Sequence, residues 1–450
     1  MSNVANNAQG FRHEEVMQLT KFIEAGESAS IIGMSGTGKS NLFNHLCDSK
    51  TQELYFTERP FPLIVRVNFH YAPDFTDRSM YSLILEQLEA ISPREISRIN
   101  LPMGIADQVI WYHDSLIEAK DDLLKVQRSF KQAIRLLLYG NERKLVFLFD
   151  QFDDVYREAP AHFFANLRGL RENYKYRISY LIFTRDMLPN IMESDPAREE
   201  FYELMASNLV GLRPYNFSDA RDLLTRIGKR NQINFNHDQA EDMITVSGGH
   251  AGLLRATFLT SGREELNWQP GKNDESLLDI PGVRLECEKV WRSLSVQERK
   301  VLHTLQHGQK PSFENVPTLE QLSVKGVLRS IEDPKIFSPL FALFIKRQDP
   351  LWERPIYFEE STRQILVLGQ PIPSLTSLEF RLFRALYERD GEVLDKDDLI
   401  EAGWPSARGG VSDEALTAAM ARLRRKIEPD SKNPRFLNNI RNQGYTLKLE

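Results

Sequence analysis

The sequence predicts an α/β domain built on a parallel sheet with helices on both faces, then helical segments, then a small α+β domain at the C-terminal end. Three observations predict this. Strand and helix signals alternate from residue 11 to about 190. The stretch GMSGTGKS (33–40) falls between an apolar strand and a helix. In the last ninety residues, short alternating strands bracket three amphipathic helices.

Residues 11–25 read as a helix. SASIIG (28–33) is a short buried strand entering the glycine loop, and SNLFNHLCD (40–48) continues as a helix. FPLIVRVNF (61–69) is a second strand and YSLILEQLEAI (81–91) a helix. Residues 105–139 are charged, with apolar positions such as Ile117, Leu124, Phe130, Ile134 and Leu137 at helical spacing. KLVFLFD (144–150) is an unbroken apolar run, as expected for a strand covered on both faces, and RISYLIFTRD (177–186) is a fourth strand. From 196 to about 260 the pattern is helical, with Ser218 as the expected cap of SDARDLLTRI and a break at GGHAG (248–252). Helices dominate again from 283 to 347, where LRSIEDPKIFSPLFALFIKR resembles the hairpin of a small winged helix. The expected boundaries are 1–195 for the sheet domain, 196–280 for a helical lid, 281–347 for an integral winged helix, 348–355 for a proline-bearing linker and 356–450 for the last domain.

The 450 residues are 41% apolar and 27% charged, a composition that supports a real core in each domain. A net charge of −6 excludes polyanion binding by bulk charge, so any nucleic-acid contact must come from local segregation. Cys47 and Cys287 have no metal-ligand spacing and read as buried thiols in a reducing compartment. The N-terminus is polar and unlike a signal peptide, and the greasiest stretch, 337–345, falls short of the ~20 residues a membrane span needs. A cytoplasmic protein without a membrane partner is expected.

Gly33, Gly38, Lys39 and Ser40 satisfy the phosphate-loop pattern G-x-x-x-x-G-K-[ST]. Glycines let the backbone N–H groups converge on phosphate oxygens, and the helix N-terminus adds partial positive charge. Gly36 and Asn41 belong to the same nucleotide-binding turn. Lys39 supplies a full charge for the β/γ-phosphates, and Ser40 a hydroxyl for Mg²⁺. The cation needs a carboxylate at the end of a neighbouring buried strand. Asp150 is placed to supply it, with Asp153 and Asp154 close enough to orient an attacking water. Thr184 and Arg185, ending the next strand, are candidates to sense the γ-phosphate.

GFRHEE (10–15), DQFDD (150–154), FTR (183–185) and SGGHAGLLRA (247–256) together resemble the STAND class of P-loop ATPases, relatives of NACHT, NB-ARC and AAA+ domains. The resemblance covers about 1–347, with Ala251 where proline is usual. It implies ATP or ADP with Mg²⁺, Arg12 near the adenine, Arg185 reading the γ-phosphate and His250 facing the nucleotide.

In the last domain, TSLEFRLFRALYER (376–389) opens with the capping box Thr376/Glu379, KDDLIEAGW is a short second helix, and SDEALTAAMARLRRKIE (412–428) is a third. Leu416, Met420, Leu423 and Ile427 form the buried stripe of that third helix. Ala418, Ala421, Arg422 and Arg425 fall opposite, flanked by Thr417 and Arg424. Small residues interleaved with arginines let a helix lie in a DNA groove. Residues 422–448 hold eight basic and two acidic residues, although 361–450 as a whole are nearly balanced. This segment resembles the OmpR/PhoB-type winged-helix DNA-binding domain. The resemblance implies a recognition helix at 412–428 and a wing at 440–445, with Arg441 at the minor groove. Asn442 stands where glycine is usual. The loop 403–411 has its own sequence, so RNA polymerase is named as a partner without transferable contacts.

The expected protein is therefore an α/β P-loop NTPase with a helical subdomain and an integral winged helix, fused to an α+β winged-helix domain. It would act as a slow, Mg-dependent ATP switch that self-associates in the ATP state and controls binding to double-stranded DNA as a bacterial transcriptional regulator. A second reading is a signalling or defence ATPase whose C-terminal winged helix binds protein. A third is an AAA+-like DNA motor or helicase loader, which lacks any second nucleotide motif or pore signature.

Overall fold

The computed structural model describes residues 10–91, 104–120, 122–139, 143–192, 195–261, 268–350, 352, 354–360, 363–389, 391–405, 410–441 and 443–449. The chain forms two compact units, residues 1–293 with 301–346, and residues 294–300 with 347–450.

The first unit is organised by five strands: β1 (Ala29–Ile32), β2 (Leu63–Asn68), β3 (Leu145–Asp150), β4 (Ile178–Thr184) and β5 (Leu209–Gly211). Their order is β2-β3-β4-β1-β5 and every pairing is parallel. Side chains alternate faces along a strand, and β3 shows the consequence. Leu145, Phe147 and Phe149 join a core with helices Asp77–Glu89, Leu123–Leu138 and Ala161–Asn173. Val146 and Leu148 join a second core with Val16, Leu19, Leu42, Phe43 and Phe183, beneath helices His13–Ala25 and Lys39–Cys47. Helices therefore cover both faces of the sheet, and truncating Phe147 to Ala would cost about 3–5 kcal/mol.

Several local expectations are corrected. The 196–260 segment, helical by pattern, also contains β5, an edge strand of three residues, too short for any periodic signal. Helix Phe217–Asn231 is capped by Asn216, which accepts from the Asp219 N–H, rather than by Ser218. Residues 105–139 form two helices, Ile105–Glu118 and Leu123–Leu138, interrupted near Lys120, whose φ is 48°. The expected hairpin near 328–346 reduces to one antiparallel bridge, Leu328 to Ile336, followed by helix Pro339–Lys346. Cys287 is buried but Cys47 is only half-buried.

The second unit has a three-stranded antiparallel sheet of β6 (Ile356–Glu359), β7 (Gln364–Val367) and β8 (Gln370–Pro371). Helices Ser377–Tyr387, Lys396–Gly403 and Asp413–Ile427 follow, then the antiparallel hairpin β9 (Leu437–Ile440) and β10 (Gly444–Leu447). Thr376 and Glu379 complete the capping box in both directions. Leu382, Phe383, Leu416, Met420, Leu423 and Leu437 share one core. This is a small α+β winged helix. Among the described residues, no helix is long and apolar enough to cross a membrane.

Candidate nucleotide site and DNA-reading face

The phosphate loop leaves β1 at the carboxyl end of the sheet. Thr184 ends β4 and stands opposite Ile32, and Asp150 ends β3. Motif, sensor strand and acidic strand thus converge at one edge, where ligands of open parallel sheets bind.

A loop that aims its N–H groups at a ligand must turn its carbonyls outward, and each of those needs a partner. All five from Gly33 to Thr37 have one. Lys39 Nζ donates to the Gly33 carbonyl at 2.8 Å and Thr37 Oγ1 to that of Met34 at 3.0 Å. His250 Nε2 donates to the Ser35 carbonyl at 2.7 Å, the Gly252 N–H to that of Gly36 at 3.0 Å, and Arg12 Nη2 to that of Thr37 at 2.8 Å. Among the described residues, the backbone N–H groups of 34–40 have no acceptor within the chain. Three of the five partners come from outside the loop, from the N-terminal segment and the start of helix Ala251–Ser261.

Glycine is required at two of these positions. Gly36 has φ of 80°, and a Cβ there would lie 2.7 Å from His250 Cε1. Gly38 has φ of 90°, and a Cβ would lie 2.2 Å from the Tyr215 hydroxyl oxygen. Asn41 donates to that same hydroxyl at 2.9 Å.

Arg12 is almost wholly buried. Besides Thr37 it holds the Arg213 carbonyl at 2.9 Å and Glu15 at 2.6 Å, with its guanidinium carbon 4.6 Å from the Tyr215 ring. Its visible work is to brace the loop, a role distinct from the adenine contact implied by resemblance. His250 likewise faces the loop backbone. Its Nδ1 accepts the Leu253 N–H at 3.2 Å, which fixes the Nε2–H tautomer. Burial pushes its imidazole down to about 4, with the Ser35 bond opposing, so the ring is neutral.

Burial also pushes the Lys39 ammonium down to about 8, with Asp153 opposing, Arg185 adding to the depression and Asp150 opposing. These charges share one field. Asp150 is buried and engaged at both oxygens, by the Gln151 N–H at 3.0 Å and by Arg66 Nη2 at 3.1 Å. Asp153 is buried and grips Arg185, accepting its N–H at 3.0 Å and lying 3.6 Å from its Nε. Asp154 is half-exposed and pairs with Arg157 at 3.1 Å. Thr184 Oγ1 is buried without a partner at the mouth of the site.

These features fit a nucleoside triphosphate: unpaired N–H groups, a glycine cradle, a half-buried lysine and an orphaned hydroxyl. Ser40 and Asp150 would hold Mg²⁺, an ion whose shell phosphate oxygens and water commonly complete. Sequence reasoning missed Arg66, Tyr215, Gly252 and Lys325. Lys325 is buried and pairs with Asp186 at 2.9 Å, next to Arg185. The spacing of Arg66, Tyr215 and Lys325 in the chain carries no signal beyond one basic residue inside the run LIVRVN (63–68), and Gly252 lies within the GGHAG break without a role read for it.

On the second unit, Thr417, Ala418, Ala421, Arg422 and Arg425 are exposed along helix Asp413–Ile427, while Leu416, Ala419, Met420, Leu423 and Ile427 are buried. Arg424 is half-buried, donating through Nε to the Leu437 carbonyl at 3.1 Å, so it ties the helix to β9. Glu428 reinforces that tie by accepting the N–H groups of Arg435, Phe436 and Leu437. Buried Glu379 receives Lys426 at 2.8 Å and lies 3.8 Å from Arg422 Nε. Arg441 is exposed in the turn between β9 and β10. Asn442 and residues 406–409 lie outside the described residues.

Phosphate loop, parallel sheet and acidic strand end define the first unit as P-loop ATPase-like in fold, and the second is a winged helix presenting an arginine-bearing helix. Residues 369–447 match the family model described as "Transcriptional regulatory protein, C terminal", the OmpR/PhoB-type domain. Over 97 residues the chain is 35% identical to Protein PetR of Rhodobacter capsulatus, covering 21% of this chain and 40% of that protein. Over 108 residues it is 32% identical to the DNA-binding dual master transcriptional regulator RpaA of Synechocystis, covering 23% and 41%. The chain thus spans well under half of either relative. Among solved structures, a Walker-type ATPase of Pyrococcus abyssi overlaps 74% of this chain and 95% of its own, at 15% identity and a TM-score of 0.45. The Klebsiella pneumoniae RstA DNA-binding domain, in complex with the RstA box, overlaps 21% and 93%, at 23% identity and a TM-score of 0.19.

Proposed function

We propose that this chain is a transcriptional regulator in which an ATP-binding switch of STAND type controls sequence-specific binding to double-stranded DNA. The observation that carries the reading is the outward bracing of the phosphate loop. The Ser35 and Gly36 carbonyls are held by His250 and Gly252, so the loop and the helical segment are one hydrogen-bonded body. Anything that rearranges the loop also loads the start of helix Ala251–Ser261.

When bound, the nucleotide supplies a γ-phosphate whose presence or loss is the signal. Lys39 would leave the Gly33 carbonyl to meet that charge, and Arg185, steadied by Asp153, would add a second cation. Ser40 and Asp150 would hold Mg²⁺. Release of these groups would let the helical segment shift and change self-association, a transition of the kind driven by phosphate contacts elsewhere. Converting a 1:99 population to 99:1 requires about 5.5 kcal/mol of discrimination, within reach of several charge-assisted contacts. On the DNA side, Ala418 and Ala421 admit close approach to a groove. Arg422 and Arg425 reach phosphates or guanine edges, Thr417 offers a hydroxyl, and Arg441 extends from the wing.

The test is genome-wide capture of bound DNA with wild-type protein and Lys39→Ala. Discrete sites that are lost or redistributed in the variant support the reading, and identical site sets oppose it.

A further inference from the structure

Asp150 is expected to serve a divalent cation, yet its carboxylate is already occupied by a cation of the protein's own. Arg66 extends from β2 and donates through Nη2 to Asp150 Oδ2 at 3.1 Å. The guanidinium is fastened from a second direction: Nη1 donates to Asn44 Oδ1 at 2.9 Å, and its carbon lies 5.0 Å from the Phe43 ring centroid. Asn44 and Phe43 belong to helix Lys39–Cys47, which begins at the phosphate loop. The other Asp150 oxygen accepts the Gln151 N–H. The carboxylate is thus neutralised by an arginine anchored to the helix that carries Ser40.

A planar guanidinium is a permanent charge that cannot be titrated away. An incoming Mg²⁺ must share Asp150 with it or displace it, and two cations on one carboxylate repel. We infer that Arg66 is a built-in counter-cation for Asp150 that holds the carboxylate in the metal-free state and weakens its grip on the divalent ion. The inference rests on the proposed nucleotide site and concerns the regulation of that site.

The experiment measures Mn²⁺ binding by electron paramagnetic resonance to the full chain saturated with a non-hydrolysable ATP analogue. Arg66→Met, which keeps the apolar stem over Phe43, should tighten Mn²⁺ about tenfold, the scale of removing one charge-assisted competitor. Arg66→Lys, which keeps the charge, should stay within about threefold of wild type. Equal or weaker Mn²⁺ binding in Arg66→Met, with the analogue still bound, overturns the inference and leaves the nucleotide site standing. Failure of the wild type to bind the analogue at all overturns the nucleotide site itself. Should Arg66→Met lose its fold, Asn44→Ala removes the second anchor, and Mn²⁺ must tighten there by the same logic; no tightening refutes the role.

Discussion

Acidification is predicted to unfasten the phosphate loop through His250. The ring is fully buried, donates from Nε2 to the Ser35 carbonyl and accepts the Leu253 N–H at Nδ1. A protonated imidazole has no acceptor, so the Leu253 N–H would face another donor. Burial lowers the imidazole from 6.5 to about 4, against the opposing pull of the Ser35 bond and of Glu286. With the folded value below the unfolded one, the opened chain takes up the extra proton as pH falls. The stabilisation is complete above pH 6.5 and is lost progressively down to about pH 4. Linkage gives a loss of roughly 1 kcal/mol at pH 5.5 and roughly 2–3 kcal/mol at pH 4.5. Hydrogen–deuterium exchange of a peptide covering 250–256, corrected for intrinsic rates, reads this as local opening. Protection relative to pH 8 should fall on the order of tenfold at pH 5.5 and several-fold further at pH 4.5. His250→Gln keeps a donor for Ser35 and an acceptor for Leu253 but cannot titrate, so its protection should stay flat. Equal losses in both proteins would refute the reasoning.

Lys39→Ala should abolish ATP binding in a fluorescent-nucleotide titration; retained micromolar affinity would contradict the assignment of the loop. Asp150→Asn should spare nucleotide binding more than Mg²⁺-dependent turnover, and normal turnover would remove Asp150 from the metal role. Arg425→Ala with Arg441→Ala should lower affinity for duplex DNA and reduce the slope of log K against log salt by about 1.8, at about 0.9 for each phosphate no longer neutralised. An unchanged slope would favour a protein partner for this face. Arg424→Ala should instead lower the thermal stability of the second unit, because its Nε holds the Leu437 carbonyl.

The sheet was legible because its buried strands are compositional events: LVFLFD and ISYLIFT are apolar apart from Asp150, Ser179 and Thr184, and the structure buries every residue of both. The stripe of helix Asp413–Ile427 was legible for the same reason, since a period near 3.6 survives without tertiary information. β5 was not, because Leu209–Gly211 is shorter than any period. Arg424 shows a different limit. Its flanking position matched a DNA contact, but whether a side chain on a flank turns outward or toward a neighbouring carbonyl depends on where β9 lies. Arg12 and His250 were singled out by motif, yet what they touch is the loop's outward carbonyls, a backbone requirement that no side-chain pattern records. Arg66 and Asp150 are 84 residues apart, and their pairing exists only because β2 and β3 are neighbours.

The central claim is that the nucleotide held by the first unit decides whether the second can bind DNA. Fluorescence anisotropy with a captured operator fragment tests it most directly, with the protein alone, with ADP and with a non-hydrolysable ATP analogue over a range of protein concentrations. The account predicts affinities that differ by at least about tenfold between the ADP and ATP-analogue states, with Lys39→Ala insensitive to either. Superimposable binding curves in all three states at every concentration would contradict it.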